Sequence, residues 1–178
     1  PKNHVLVELT DPQEFYSYKS GGLKFSPFDR VKVLLAGNGE EAFPAVNYAG
    51  AVGLTQFTNK WVKRKPGTWD TVRGAYPAAQ LSEFKIGATN HTESIKAAIL
   101  LYDFNLNKLL RAFGSKILDD KNLELYLYAA HNCGIDRVIK AIKLTKSNQN
   151  WRIALRKLGK TNETIIFLDK IDYLIENP

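Results

Sequence analysis

The sequence predicts a mainly α-helical single domain, and three observations carry that expectation. Apolar residues recur at helical steps from Ile95 to Phe113 and again from Leu123 to Ile142, so each segment turns one stripe toward a core. No alternation of strand and helix patterns, internal repeat, low-complexity stretch or linker runs through the chain. At 178 residues it is long enough for one domain that buries most of the surface its unfolded form exposes.

Residues 1–27 mix Val5, Leu6 and Val7 with Asp11, Pro12, Tyr16, Tyr18, Gly21 and Gly22 and keep no helical period, so they read as an N-terminal arm of short strand and loop. Residues 28–178 are then the helical domain. A first helix is expected from Ser26, a candidate N-cap with Pro27 at the favoured first position, through Phe28, Val31, Leu34 and Leu35 to Glu40. Gly37 and Gly39 weaken its last turn. Gly50 to Phe57 reads as a glycine-studded turn, followed by a short helix-like piece to about Arg64 and a loop through Pro66, Gly67 and Pro77.

Asn90 and Glu93 have capping-box spacing at the head of the longest helix, whose core stripe would be Ile95, Ile99, Tyr102, Leu106, Leu109, Leu110 and Phe113. Leu123, Tyr126, Leu127 and Ala130 make a second helix, broken at Asn132 to Gly134, and Ile135, Val138, Ile139 and Ile142 begin a third. Trp151, Leu155 and Leu158 form a short helix ended by Gly159. Thr161 is placed to cap a last helix carrying Ile165, Leu168, Ile171 and Ile175.

A formal charge of +7 and a pI near 9.4 favour acidic partners: nucleic acid, anionic lipid headgroups or an anionic bacterial wall. Lys60, Lys63, Arg64 and Lys65 form one basic knot, and a looser set runs from Arg137 to Lys160; the plain reading of both is a solvated surface. The basic residues are not interleaved with an aromatic face, so no nucleic-acid partner is expected. The single cysteine, Cys133, excludes an intramolecular disulfide, and His4, His91 and His131 show no ligand pairing, so no metal or other cofactor is expected. No apolar run approaches the ~20 residues that span a bilayer, so no membrane span is expected. The chain begins with Pro and shows no signal peptide, as a trimmed, processed or excised form would.

Three polar breaks stand between apolar segments. Glu40 and Phe43 precede Ala45-Val46-Asn47-Tyr48-Ala49-Gly50-Ala51-Val52-Gly53-Leu54-Thr55-Gln56; Ala130-His131-Asn132-Cys133-Gly134 follows; Trp151 and then Glu163-Thr164-Ile165-Ile166-Phe167-Leu168-Asp169-Lys170-Ile171 close the set. In this order they resemble the signature blocks of the soluble lytic transglycosylases, a lysozyme-like family that cleaves the glycan strands of bacterial peptidoglycan. The resemblance covers roughly residues 28 to 176. The first block is similar to the family's E-S-x-F and A-V-S-P-A-G-A-x-G-L-M-Q, the second to A-Y-N-A-G, the third to W…E-T-x-x-Y-V-x-K-I. Thr92 to Leu101 looks like the helix behind the site, and His91 matches no catalytic position.

The resemblance implies a lysozyme-like fold, Glu40 as the catalytic acid, and Asn47, Gln56, His131, Asn132 and Phe167 as residues on the sugar. It also implies cleavage of the β-1,4 bond between MurNAc and GlcNAc with a 1,6-anhydroMurNAc product, and a place in the bacterial cell envelope or on a phage-borne lysin. Most glycosidases pair two carboxylates about 5 to 10 Å apart. This chain offers no evident second one, which agrees with a reaction whose nucleophile is the substrate's own 6-hydroxyl.

The chain departs from the family pattern at several places. Two residues are missing between Phe43 and Gly50, so an ungapped match puts Asn38 at the catalytic position, and Glu41 stands as the alternative acid. Thr55 replaces a methionine, and His131 and Phe167 replace tyrosines. Structural readings stand beside the functional ones: Gln56 and Asn132 as helix-end caps or partners of buried backbone, Phe167 and Trp151 as core, His131 as an interior hydrogen-bonding residue. The rival functions are a hydrolytic muramidase using the same acid, and a wall-binding or assembly module without turnover.

Overall fold

The helical periods of the sequence are realised as seven α-helices among the described residues, with no β structure beyond isolated bridges. The computed structural model describes residues 50–60, 62, 64–145, 150–159 and 161–176. The arm 1–27, the helix expected from Ser26, and Asn38, Glu40, Glu41, Phe43 and Asn47 lie outside the described residues. By its internal contacts the chain divides into two compact units, Pro1–Leu100 and Leu101–Pro178.

In the first unit, α1 (Thr68–Ala75) occupies a stretch expected to be loop. Its composition is a poor helix signal, since Thr, Trp, Val and Gly all rank low. Tertiary burial compensates: Trp69 and Val72, three residues apart on one face, are both wholly buried. The Trp69 ring meets Phe57 edge-on at 5.3 Å and Phe84 at 6.1 Å, and its indole N–H donates to the Ser82 carbonyl at 3.0 Å. Burying one large side chain of this kind stabilises by about 1.5–3 kcal/mol, more than the propensity deficit of a short helix turn.

The described residues of the helix-like piece expected up to Arg64, Thr58 to Lys60, Val62 and Arg64, are not helical. Val62 and Lys65 instead exchange backbone hydrogen bonds at 3.1 and 2.9 Å, closing a tight turn with Arg64 at φ +67°. Four cations within six residues leave that segment without an apolar stripe to bury, so a helix there has nothing to pack.

After a 3₁₀ turn (Pro77–Ala79) and α2 (Phe84–Gly87) comes α3 (His91–Phe113), 23 residues long. The expected capping box is half present: the Asn90 side chain accepts the Glu93 N–H at 3.0 Å. The Glu93 carboxylate turns away to Ser82, accepting from its N–H at 2.7 Å and its hydroxyl at 2.8 Å. The buried face of α3 also differs from the expected stripe. Ser94, Ala97, Ala98, Leu101, Asn105 and Leu109 are buried, whereas Ile99 is 50% exposed. Ser94 takes an inner position because its hydroxyl and carbonyl meet the Thr55 hydroxyl, a polar contact that a hydrophobicity pattern does not register.

The second unit follows expectation more closely. A 3₁₀ turn (Ser115–Asp119) leads to α4 (Leu123–Cys133), then α5 (Ile135–Leu144), α6 (Trp151–Lys157) and α7 (Asn162–Glu176). α5 packs on α4 and α6, and α7 returns against α4 and α6. Ile135, Val138 and Ala141 form the buried stripe of α5, and Ile165, Leu168 and Ile171 that of α7. Trp151 stacks edge-on to Tyr126 at 4.8 Å, joining α6 to α4. Asn150 caps α6 through the Arg152 N–H, and Gly159, at φ +71°, follows its end. The Thr161 hydroxyl reaches back to the Leu155 carbonyl at 3.0 Å, tying the start of α7 to the end of α6.

Candidate functional site

The turn that carries Gln56 is pinned from several directions. Val52 and Phe57 exchange backbone hydrogen bonds at 2.8 and 3.0 Å, and three of the residues from Gly50 to Gln56 have left-handed backbone: Gly50 at φ +76°, Gly53 at +80° and Gln56 at +50°. A Cβ on Gly53 would fall 1.8 Å from the carbonyl oxygen of Ala88. Only glycine lets the turn lie against that backbone. The Gln56 amide donates to the Gly53 carbonyl at 2.9 Å, so part of its hydrogen-bonding capacity goes to holding its own turn.

Thr55, standing where the family pattern has methionine, is 1% exposed. Its hydroxyl meets Ser94 Oγ at 2.7 Å and lies 3.3 Å from the Ser94 carbonyl, which fastens the turn to the first turns of α3. The departure is therefore a polar anchor in place of an apolar one. Thr55–Ser94 and Glu93–Ser82 were not singled out from the sequence, because each pair becomes visible only when chain segments 11 to 39 residues apart meet.

In the second unit the Ala130 to Gly134 block ends α4. Asn132 Oδ1 accepts the Thr164 hydroxyl at 2.7 Å, joining two of the sequence blocks across 32 residues. Thr164 is 1% exposed, so this bond satisfies a buried hydroxyl. Thr164 belongs to the third block but had no role assigned to it from sequence. The chain leaves α4 through Gly134 at φ +87° and ψ 141°, a conformation nearly confined to glycine.

His131 is half-buried beside Tyr102, with ring centroids 6.4 Å apart, and Tyr102 in turn meets Tyr128 edge-on at 5.8 Å. The Tyr128 hydroxyl donates to Glu124 at 2.9 Å, and burial with this bond raises its pKa well above the ordinary phenol value. Burial also pushes the Cys133 thiol up, against the opposing pull of Thr164 and Arg137, so it is held as a neutral thiol rather than a nucleophilic thiolate. Phe167 is 4% exposed and Trp151 5%, and both rings serve packing. For Phe167, this burial favours the core reading over an open sugar platform.

The second unit also contains a polar cavity of about 700 Å³ lined in part by Asp120, Asn122, Tyr126, Trp151, Arg152 and Asp172. Two of its carboxylates are bonded within it: Arg152 forks onto Asp172 at 2.6 and 2.9 Å, and Asp120 accepts from Asn122 and from Tyr126. The Tyr126 phenol is raised to about 12 by burial first and by Asp120 second, so it stays protonated at neutral pH. A cavity whose acids are already bonded to fixed partners is better suited to holding a shape than to moving protons.

Glu40 and Asn47 lie outside the described residues; Gln56 belongs to the first unit, and His131, Asn132 and Phe167 belong to the second. Among the described residues no group of three or more His, Cys, Asp or Glu side chains is arranged to hold a metal ion, and no helix is long and apolar enough to cross a membrane. Comparison with family models, with curated proteins and with solved structures gives no match to this chain.

Proposed function

We propose that this chain is a peptidoglycan lytic transglycosylase acting at the cell envelope or as a phage-borne lysin. The observation that carries the reading is the bond between Asn132 and Thr164, because it makes one local feature of two blocks that the sequence resemblance had picked out separately. The close approach of Gly53 to Ala88 adds support, since it supplies a physical reason for a glycine at that place of the first block.

In this mechanism the Glu40 carboxyl gives its proton to the bridging oxygen as the bond from MurNAc C1 to that oxygen breaks. The resulting carboxylate takes the proton of the MurNAc 6-hydroxyl while O6 closes on C1. Water is neither consumed nor released, and the acid is regenerated. Gln56 and Asn132 are the amides assigned to the sugar, with His131 beside Asn132.

Mass spectrometry of muropeptides released from purified sacculi tests the reading. The parent protein should release products ending in 1,6-anhydroMurNAc, and Glu40→Gln should lower the rate by at least ~10²-fold while leaving the fold intact. Glu41→Gln should cost much less. Reducing-end MurNAc as the sole product would replace the proposal with a muramidase, and equal lysis by both variants would remove Glu40 as the acid. No release by well-folded parent protein would leave a wall-binding module.

A further inference from the structure

The polar cavity of the second unit stands apart from Asn132, the amide of that unit assigned to the sugar. Tyr126 and Asn132 are six residues apart on α4, and Thr164 and Asp172 eight apart on α7. At 1.5 Å per residue the cavity wall lies about 9 to 12 Å along these two helices from the Asn132–Thr164 bond. Its volume, about 700 Å³, is that of a small-ligand site.

The lining selects against most ligand classes. Ile142 alone among the described lining residues lacks a polar side-chain atom, so an apolar ligand would strip water from groups that it could not bond. Asp120 and Asp172 line the cavity together with Lys121 and Arg152, so an anion meets two carboxylates and a cation meets two cationic groups. An uncharged polar ligand avoids both costs.

The hydrogen-bonding capacity left over is that of amides. Asp172 is taken by the Arg152 fork, and Asp120 by the Asn122 N–H, the Asn122 side-chain amide and the Tyr126 hydroxyl at 2.8, 3.1 and 3.2 Å. Asn122 thereby spends an N–H and keeps its carbonyl oxygen. Asn150 spends its oxygen on the Arg152 N–H at 2.9 Å and keeps its NH₂ group. One amide acceptor and one amide donor are the complement of a secondary amide. They stand at the N-caps of α4 and α6, the two helices that the buried Tyr126 and Trp151 rings join.

We infer that this cavity is an accessory site for an uncharged N-acetylated sugar, whose acetamido N–H donates to Asn122 and whose acetamido oxygen accepts from Asn150. The inference rests on the glycan-directed reading of the protein, and adds to it a sugar contact separate from Asn132. A wall peptide also carries secondary amides, but it brings ionised carboxylates that Asp120 and Asp172 repel.

A nuclear magnetic resonance titration with the trimer of β-1,4-linked N-acetylglucosamine tests it, read at the indole N–H of Trp151, one of three tryptophans in the chain. That signal should move, and cellotriose, with hydroxyls in place of the acetamido groups, should leave it where it is. Asn122→Ala should weaken binding roughly threefold to tenfold, as loss of one hydrogen bond does. Thr145→Phe, which adds a ring to the lining, should abolish it. The two substitutions sit at the ends of different helices, so if one variant fails to fold the other still decides. An unmoved Trp151 signal, an equal response to cellotriose or unchanged affinity in folded Asn122→Ala would overturn the inference. A stronger response to N-acetylated trialanine amide would also overturn it and make the cavity a peptide site. Muropeptide release by the parent protein keeps this result apart from the catalytic one. Sugar binding at Trp151 without release would defeat only the transglycosylase reading, and release without binding there only the accessory site.

Discussion

Gly53 in the first unit and Gly134 in the second occupy matching roles in the sequence, each the glycine of a polar break between apolar segments, and both have positive φ, +80° and +87°. Their surroundings differ. Around Gly134 a Cβ would meet nothing within 4 Å, whereas at Gly53 it would overlap the Ala88 carbonyl. The first glycine is needed for what lies against it and the second for its dihedral angles alone. Each is accompanied by a buried hydroxyl bond that ties its block to a distant segment, Thr55 to Ser94 and Thr164 to Asn132. The two regions thus share a plan, a left-handed glycine joint secured by a long-range hydrogen bond, while differing in how tightly the backbone is packed.

Substitution of the two glycines by alanine should expose that difference, with urea unfolding as the measurement. Gly53→Ala combines left-handed strain with a backbone clash and should cost roughly 3–5 kcal/mol, enough to threaten the fold. Gly134→Ala carries strain without the clash and should cost about 1–3 kcal/mol. Equal losses would mean that the approach to Ala88 relaxes freely and that the comparison is one of dihedrals only.

The hydroxyl bonds come next in size. Thr55→Val keeps the volume but takes the Thr55 hydroxyl from Ser94, and Asn132→Ala takes the amide oxygen that accepts from Thr164; each should cost about 1–3 kcal/mol. Pairing each change with its partner's, as Thr55→Val with Ser94→Ala or Asn132→Ala with Thr164→Val, should cost less than the two single losses added together. Strict additivity in either cycle would show that the bond contributes nothing to that joint.

The smallest effect concerns pH and belongs to the second unit alone. Tyr126 has its folded pKa raised from 10.0 to about 12, so folding favours the neutral phenol. The stability this confers is complete below pH 10 and declines as pH rises toward 12. Tyr126→Phe should flatten that decline in an alkaline unfolding series, although Tyr128, shifted in the same direction, leaves part of it in place. An unchanged slope would show that folding does not raise the Tyr126 phenol.

The sequence by itself determined the helical class and most of the second unit. α4 to α7 were legible because Tyr126, Ile135, Val138, Trp151, Leu155, Ile165, Leu168 and Ile171 are buried apolar residues that recur at helical spacing, and because Gly134 and Gly159 mark helix ends through a backbone geometry that other residues resist. It also marked Asn132 and Gln56 as polar residues at breaks, though not what they bond.

Among the described residues of the first unit, tertiary structure alone decided what is buried. α1 exists because Trp69 finds a pocket beside Phe57 and Phe84, a gain invisible to local propensity. The first turns of α3 bury Ser94, Ala97 and Ala98 rather than Ile95 and Ile99, and Ser94 is held there by the Thr55 hydroxyl. The partners of Thr55, Glu93 and Asn132 likewise depend on which distant segments meet. A hydrogen bond between residues 11 to 39 apart leaves no period in the chain from which it could be read.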